Sequence, residues 1–275
     1  MLQSLAAQTG LALEIAELAL SLAKEAAHRE GINREMEIAR EVQQRLFPQK
    51  LPQIAGLDFA GTCRAALGVG GDYYDLIQLE NGLLGIAIGD VSGKGISAAL
   101  LMAGLRASLR GITIDGSGDL ARMMRRINGL VYESSASNRY ATFFFATLDP
   151  ANREARYVNA GHNAPMLVKS GSRDVVRLDA GGTPVGLLPS ATYDAQSVIL
   201  DSGDLLLCYT DGVSEAMNLD DEEWGEERML EAIKRTKDAP PSDVLREVFR
   251  AADEFTGEAP QHDDMTVLIV RVKAD

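Results

Sequence analysis

The chain has 275 residues, 46% hydrophobic and 24% charged, enough to bury the core of one large domain or two small ones. Twenty-seven Lys and Arg against 40 Asp and Glu give a net charge of −13, which argues against nucleic acid or an anionic membrane as the partner. Two cysteines, Cys63 and Cys208, cannot make a disulfide framework or a Cys-rich zinc site, and His28, His162 and His262 are too scattered for a His-rich one.

The N-terminus has no basic region before an apolar core, and no stretch reaches the roughly 18 uncharged apolar residues of a membrane span. A cytoplasmic protein with both thiols buried and reduced is expected. Residues 1–47 hold no proline and read as helix. Leu11, Ile15, Leu18 and Leu22 are spaced as in a heptad seam, and Ile32, Met36, Ala39 and Leu46 fall in the same register. Glu25, Arg29 and Gln43 interrupt the seam, Gly31 weakens the helix, and Pro48 and Pro52 close it. Two readings stand side by side: a coiled-coil linker that makes a homodimer, or an amphipathic helix lying on its own domain.

From residue 48 to 275 the pattern changes to short apolar runs between glycines. Strands are predicted at Leu57–Cys63, Tyr73–Leu79, Leu83–Ile88, Thr142–Leu148, Ala155–Asn159, Met166–Lys169, Val175–Leu178, Asp194–Leu200, Leu205–Tyr209 and Thr266–Val272. Helices are predicted at Ile96–Arg110, Asp119–Ser134, Glu226–Thr236 and Ser242–Phe255, with Asp119 and Ser242 as caps. Consecutive strands with few helices read as α+β. The acidic run Asp220–Glu227 reads as a solvated loop.

Four Asp-bearing segments adjoin predicted strands: GGDYYD at 70–75, GDVSGKG at 89–95, YTDG at 209–212 and HDDM at 262–265. A strand that ends on aspartate holds the carboxylate at a sheet rim, and several rims can converge on one site. Clustered carboxylates repel unless a cation neutralises them. An oxygen-only set favours Mg²⁺ or Mn²⁺ over zinc. Two such ions can activate water for an in-line phosphoryl displacement. Singly, each Asp is more often a turn residue; together the four carry the argument. GDVSGKG is one residue short of a P-loop and has Gly95 where Ser or Thr would hold Mg²⁺. GGDYYD has the GGD of diguanylate cyclases but continues with Tyr73 and Tyr74, and a cyclase would leave Asp211 and Asp263 unexplained.

With GGDYYD, GDVSGKG, NAGHNAP, YTDGVSEA and HDDMTVLIV in this order, the sequence resembles the PPM class of metal-dependent serine/threonine phosphatases, the 2C-like phosphatases, in its bacterial SpoIIE/RsbU branch. The likeness covers about residues 35–273. It implies a central antiparallel β-sandwich flanked by helices, with two metal ions at one edge. Asp90 is expected to bridge the metals and the Val91 carbonyl to add a ligand. Asp211 and Asp263 should hold one metal, and Asp72 should act at the other. Asp264 should orient the site or hold metal, its role interchangeable with that of Asp263. Asp75 is open between the site and a plain strand-edge position.

The resemblance further implies hydrolysis of phosphoserine or phosphothreonine by metal-activated water, with no covalent phosphoenzyme. The substrate in this branch is a phosphorylated STAS-domain anti-sigma-factor antagonist, which on dephosphorylation captures an anti-sigma kinase and frees a stress or sporulation sigma factor. The eukaryotic DGHGG motif is replaced here by residues 90–95. His162 reads as a general acid or as a turn histidine, His262 as a tuning or a surface residue, and Lys94 as a phosphate contact or the start of a helix. LQSLAAQTGLALEIAEL resembles the last helix of a GAF sensory domain, and EIAREVQQRLFP a linker of this branch. Residues 1–47 are therefore expected to be a dimerising linker, and 48–275 the phosphatase domain.

Overall fold

The structure, a computed structural model, describes residues 2–79, 82–113, 118–135, 139–172, 174–179 and 181–273. Its contacts divide the chain into two units, Met1–Gln44 and Arg45–Asp275. The first is one helix, α1 (Leu2–Gln44), which runs through Gly31 without a break. Glycine costs a helix only about 1 kcal/mol relative to alanine, and pairs at i,i+4 flank it: Arg29 to Glu25 at 3.4 Å and Arg34 to Glu30 at 2.5 Å. Of the predicted seam, the side chains of Leu11 and Ile15 lie outside the described residues. Leu18 and Leu22 are 62% and 58% exposed. Leu20, Ile38 and Val42, off that seam, are exposed as well.

In the second unit all ten predicted strands form, with shifted ends: β1 (Leu57–Arg64), β2 (Tyr73–Gln78), β3 (Leu84–Val91), β4 (Ala141–Asp149), β5 (Glu154–Ala160), β6 (Met166–Val168), β7 (Val175–Arg177), β8 (Gln196–Ile199), β9 (Leu205–Tyr209) and β10 (Met265–Val272). The helices are α2 (Ile96–Thr113), α3 (Leu120–Ser134), α4 (Asp211–Ser214), α5 (Gly225–Thr236) and α6 (Pro241–Thr256). The strands make two five-stranded antiparallel sheets, ordered β1-β10-β9-β6-β7 and β2-β3-β4-β5-β8.

Three apolar layers explain the continuous hydrophobic runs. Successive strand residues point to opposite faces. In β4, Phe144, Ala146 and Leu148 fill the space between the sheets, while Phe143 and Phe145 pack under α2 and α3. In β10, Leu268 and Val270 face the partner sheet, while Val267 and Ile269 pack under α5 and α6. Strands covered on both faces have no polar side to alternate with, hence the runs FFF and TVLIV. Among the described residues, no helix is long and apolar enough to cross a membrane.

Several expectations needed correction. Asp119 caps α3, accepting from Arg122 N at 2.9 Å, but Ser242 does not cap α6. Pro241 takes the first helical position instead, because its fixed φ and missing N–H suit that site. The run Asp220–Glu227 is only partly a solvated loop: Trp224 is buried, and Glu226 lies in α5, accepts from the Tyr209 hydroxyl and pairs with Arg177 at 2.6 Å. Cys208 is buried as expected, but Cys63 only partly. Asp75 does lie on an edge strand, β2, but is not exposed there. It is fully buried, with its carboxylate gripped by Arg110 Nε at 2.7 Å and Nη2 at 2.8 Å and by the Tyr73 hydroxyl at 2.7 Å.

Candidate metal centre

Antiparallel pairing determines where the four Asp segments meet. The start of β2 lies beside the end of β3, with Tyr73 opposite Gly89. The end of β9 lies beside the start of β10, with Tyr209 opposite Val267. Asp72 precedes β2, Asp90 is the penultimate residue of β3, Asp211 lies two residues after β9, and Asp263 and Asp264 precede β10. Each sheet thus delivers two of its carboxylate segments to one end. Asp90 lies inside its strand, opposite Thr142, rather than in the turn after it, so the sheet ladder fixes its backbone.

The glycines permit the close approach. A Cβ on Gly70 would lie 2.0 Å from Asp264 Oδ2, and one on Gly71 would lie 2.7 Å from the Val91 carbonyl oxygen and 3.3 Å from Asp90 Oδ1. The loop before β2 is therefore threaded between Asp264 on one side and Asp90 with Val91 on the other. A Cβ on Gly212 would lie 2.1 Å from the Asp264 carbonyl oxygen.

The carboxylates differ in what they hold. Asp264 reaches back across the sheets: Oδ1 accepts from Ala66 N at 2.8 Å, and Oδ2 from Gly71 N at 2.8 Å and Asp72 N at 3.4 Å. Asp72 Oδ2 accepts from the hydroxyls of Thr210 at 2.7 Å and Thr266 at 2.6 Å. Thr210 stands at the N-cap of α4 yet makes no side-chain cap bond, because its hydroxyl is committed to Asp72. Asp263 faces outward, with Oδ2 2.9 Å from Lys94 Nζ. Thr210 and Thr266 were not anticipated from the sequence; the available signal was a threonine inside two of the Asp motifs.

Electrostatics set these groups apart from ordinary carboxylates. Burial first, then the Asp90 charge, holds the Asp72 carboxyl well above its usual range, partly offset by the two threonine hydroxyls. Burial, followed by Asp211, Asp263 and Asp264, pushes Asp90 up to about 7. Asp211 is raised by burial and by Asp263. Such a cluster favours protons or a cation. Among the described residues, no three His, Cys, Asp or Glu side chains already close around one point; Asp72, Asp263 and Asp264 take up hydroxyl, ammonium and amide partners instead. The oxygen-only donor set nevertheless fits a hard divalent ion.

His162 is buried, with its backbone N–H bonded to Asn159 Oδ1 at 2.7 Å and its Nδ1 2.9 Å from the Thr142 hydroxyl. Nε2 makes no hydrogen bond of good geometry, although the Tyr209 carbonyl lies close enough to favour the charged ring slightly. Burial lowers its pKa to about 4. A ring neutral above that pH lacks the second proton a general acid would give up in the neutral range. Beside Asp263 opens a cleft of about 420 Å³, lined by Arg64, Lys94, Glu215, Met217 and Gln261 among others.

The sequence of residues 80–273 matches the family model described as Stage II sporulation protein E (SpoIIE). The chain belongs to the SpoIIE family. It is similar to Protein IcfG of Synechocystis sp. (strain ATCC 27184 / PCC 6803 / Kazusa), at 29% identity over 88% of this chain and 42% of that protein. It therefore spans less than half the length of that relative. It is 26% identical to the phosphoserine phosphatase RsbU of Bacillus subtilis (strain 168), over 89% of this chain and 72% of RsbU. The SiaA-PP2C domain of Pseudomonas aeruginosa superposes with a TM-score of 0.78 over 90% of this chain and 99% of that one, at 21% identity. This SpoIIE-family member thus has the PP2C fold.

Proposed function

We propose that this SpoIIE-family chain is a phosphoserine/phosphothreonine protein phosphatase working with two Mn²⁺ or Mg²⁺ ions. The observation that carries the reading is the delivery of Asp72, Asp90, Asp211 and Asp263 to one end of the two sheets, three of them with pKa values raised by burial and by neighbouring carboxylates. Asp90, the Val91 carbonyl, Asp211 and Asp263 are the proposed ligands, and Asp72 would act at the second ion. Asp264 is assigned to positioning, since its oxygens hold the amides of Ala66, Gly71 and Asp72. The bound ions would supply activated water and neutralise charge on the phosphoryl group. Thr210 and Thr266 fix the Asp72 carboxylate, and the cleft beside Asp263 receives the phosphorylated segment.

Kinship with RsbU, named a phosphoserine phosphatase, supports hydrolysis at phosphoserine. The motif likeness to the SpoIIE/RsbU branch supports a phosphorylated STAS-domain anti-sigma-factor antagonist as the substrate, within a cytoplasmic partner-switching pathway. Residues 1–47 are proposed as a dimerising linker from an upstream GAF-like sensor, and 48–275 as the phosphatase domain. The test is release of phosphate from phospho-STAS proteins with and without Mn²⁺. Activity should require the metal and fall at least a hundredfold in Asp90→Asn and in Asp211→Asn, on the order of removing one major electrostatic contributor. Binding of the phosphoprotein without any hydrolysis would instead favour a recruiting scaffold.

A further inference from the structure

Lys94 stands at the tip of the turn between β3 and α2, between Gly93 and Gly95, both in the left-handed region at φ +91° and +75°. The base of that turn is fixed. Ser92 N donates to the Tyr140 carbonyl at 2.9 Å, Tyr140 N donates to Ser92 Oγ at 3.0 Å, and Arg139 donates to the Ser92 carbonyl at 3.0 Å. The side chain beyond it is 47% exposed and lines the cleft beside Asp263.

The ammonium lies 2.9 Å from Asp263 Oδ2 and also donates to the His262 carbonyl. The other oxygen, Asp263 Oδ1, already accepts from Asp264 N at 2.9 Å. Lys94 therefore covers the one Asp263 oxygen that lacks an amide partner. A divalent ion on Asp263 would stand against a like charge a few ångströms away, where Coulomb repulsion is strong.

We propose that Lys94 is a resident counter-cation of Asp263, a tethered positive charge that a divalent ion must displace in order to bind there. A four-carbon stem with several rotatable bonds on a fixed turn suits that role, because the ammonium can balance the carboxylate and then withdraw into the cleft without any backbone shift. Arg64 and Arg139 cannot substitute. Arg64 is paired with Asp253 at 2.5 Å, and Arg139 is bonded to Ser92.

The inference rests on the metal reading above, and calorimetric titration of Mn²⁺ into the full chain separates the two. Lys94→Met, which keeps the stem and removes the charge, should tighten the weaker Mn²⁺ step about tenfold, a change of 1.4 kcal/mol. Lys94→Arg should stay within about twofold of the wild type, and in an Asp263→Asn background Lys94→Met should have no effect, as a direct pairwise coupling requires. Wild-type binding matched or exceeded in strength over Lys94→Met would overturn the counter-cation role while leaving the metal centre standing. No Mn²⁺ binding by any variant, with unchanged melting temperatures, would remove the metal reading and this inference with it.

Discussion

Asp72 shows how a single carboxylate is prepared. Its loop is threaded through a gap only glycine leaves open at positions 70 and 71, and its oxygen is then fixed by two hydroxyls from the other sheet. The glycines and the aspartate were legible in the sequence. The two threonines were not, because nothing local distinguishes a threonine that donates to a carboxylate 138 residues earlier from one that suits a strand border. His162 was open between two roles, and burial with a lowered pKa favours the turn. The direction of that shift sets a pH dependence. With the folded pKa near 4 and an ordinary value of 6.5, the unfolded chain binds the extra proton first. The stability tied to the neutral ring is full above pH 6.5 and is lost as pH falls toward 4. Between pH 7 and 4.5 the wild type should lose about 2–3 kcal/mol more than His162→Gln in urea unfolding. Equal losses would show that the ring is protonated freely in the fold.

At the scale of elements, strand existence followed from composition and strand ends did not. β3 was expected to stop at Ile88, yet it continues to Val91, because Asp90 and Val91 pair with Thr142 and Ala141 of β4. That pairing depends on a partner 52 residues away and is invisible to local propensity. Ser242 looked like a cap for the same kind of reason: Pro241 outcompeted it from the neighbouring position. Asp75 and Arg110 tie β2 to the last turn of α2, the helix that follows the Lys94 turn. Removing one partner leaves a fully buried carboxylate without its counter-ion. Arg110→Met should cost roughly 3 kcal/mol, the low end for such a loss because Arg110 itself is 42% exposed. Chemical denaturation measures it, and a change under about 0.5 kcal/mol would mean that the Tyr73 hydroxyl and the Leu76 amide, which donates to Asp75 Oδ1 at 2.9 Å, suffice.

At the scale of the whole chain, α1 presents Leu18 and Leu22 at 62% and 58% exposure, one turn apart, as a heptad seam would present them to a partner helix. The proposed partner is a second copy of this chain. Leu18→Glu combined with Leu22→Glu should convert a dimer to a monomer by light scattering and change phosphatase activity with Asp90 intact. Unchanged mass and unchanged activity would sink both the dimer and the proposal that this linker regulates the phosphatase. The net charge of −13 separates into two populations at this scale. A few carboxylates gather at one end of the two sheets, while others, such as Glu25 and Glu30, sit exposed in weak surface pairs.

The sequence by itself determined the ten strands, the α+β class, the four Asp segments and the family they resemble, because alternating and continuous apolar runs and glycine-flanked aspartates are local signals. Only the tertiary structure decided which partners each aspartate holds. Asp263 and Asp264 are adjacent and chemically identical, and their roles could be exchanged on paper. In a strand-entry segment, neighbouring side chains point to opposite sides. One carboxylate therefore turns inward to the amides of Ala66 and Gly71, and the other outward to Lys94.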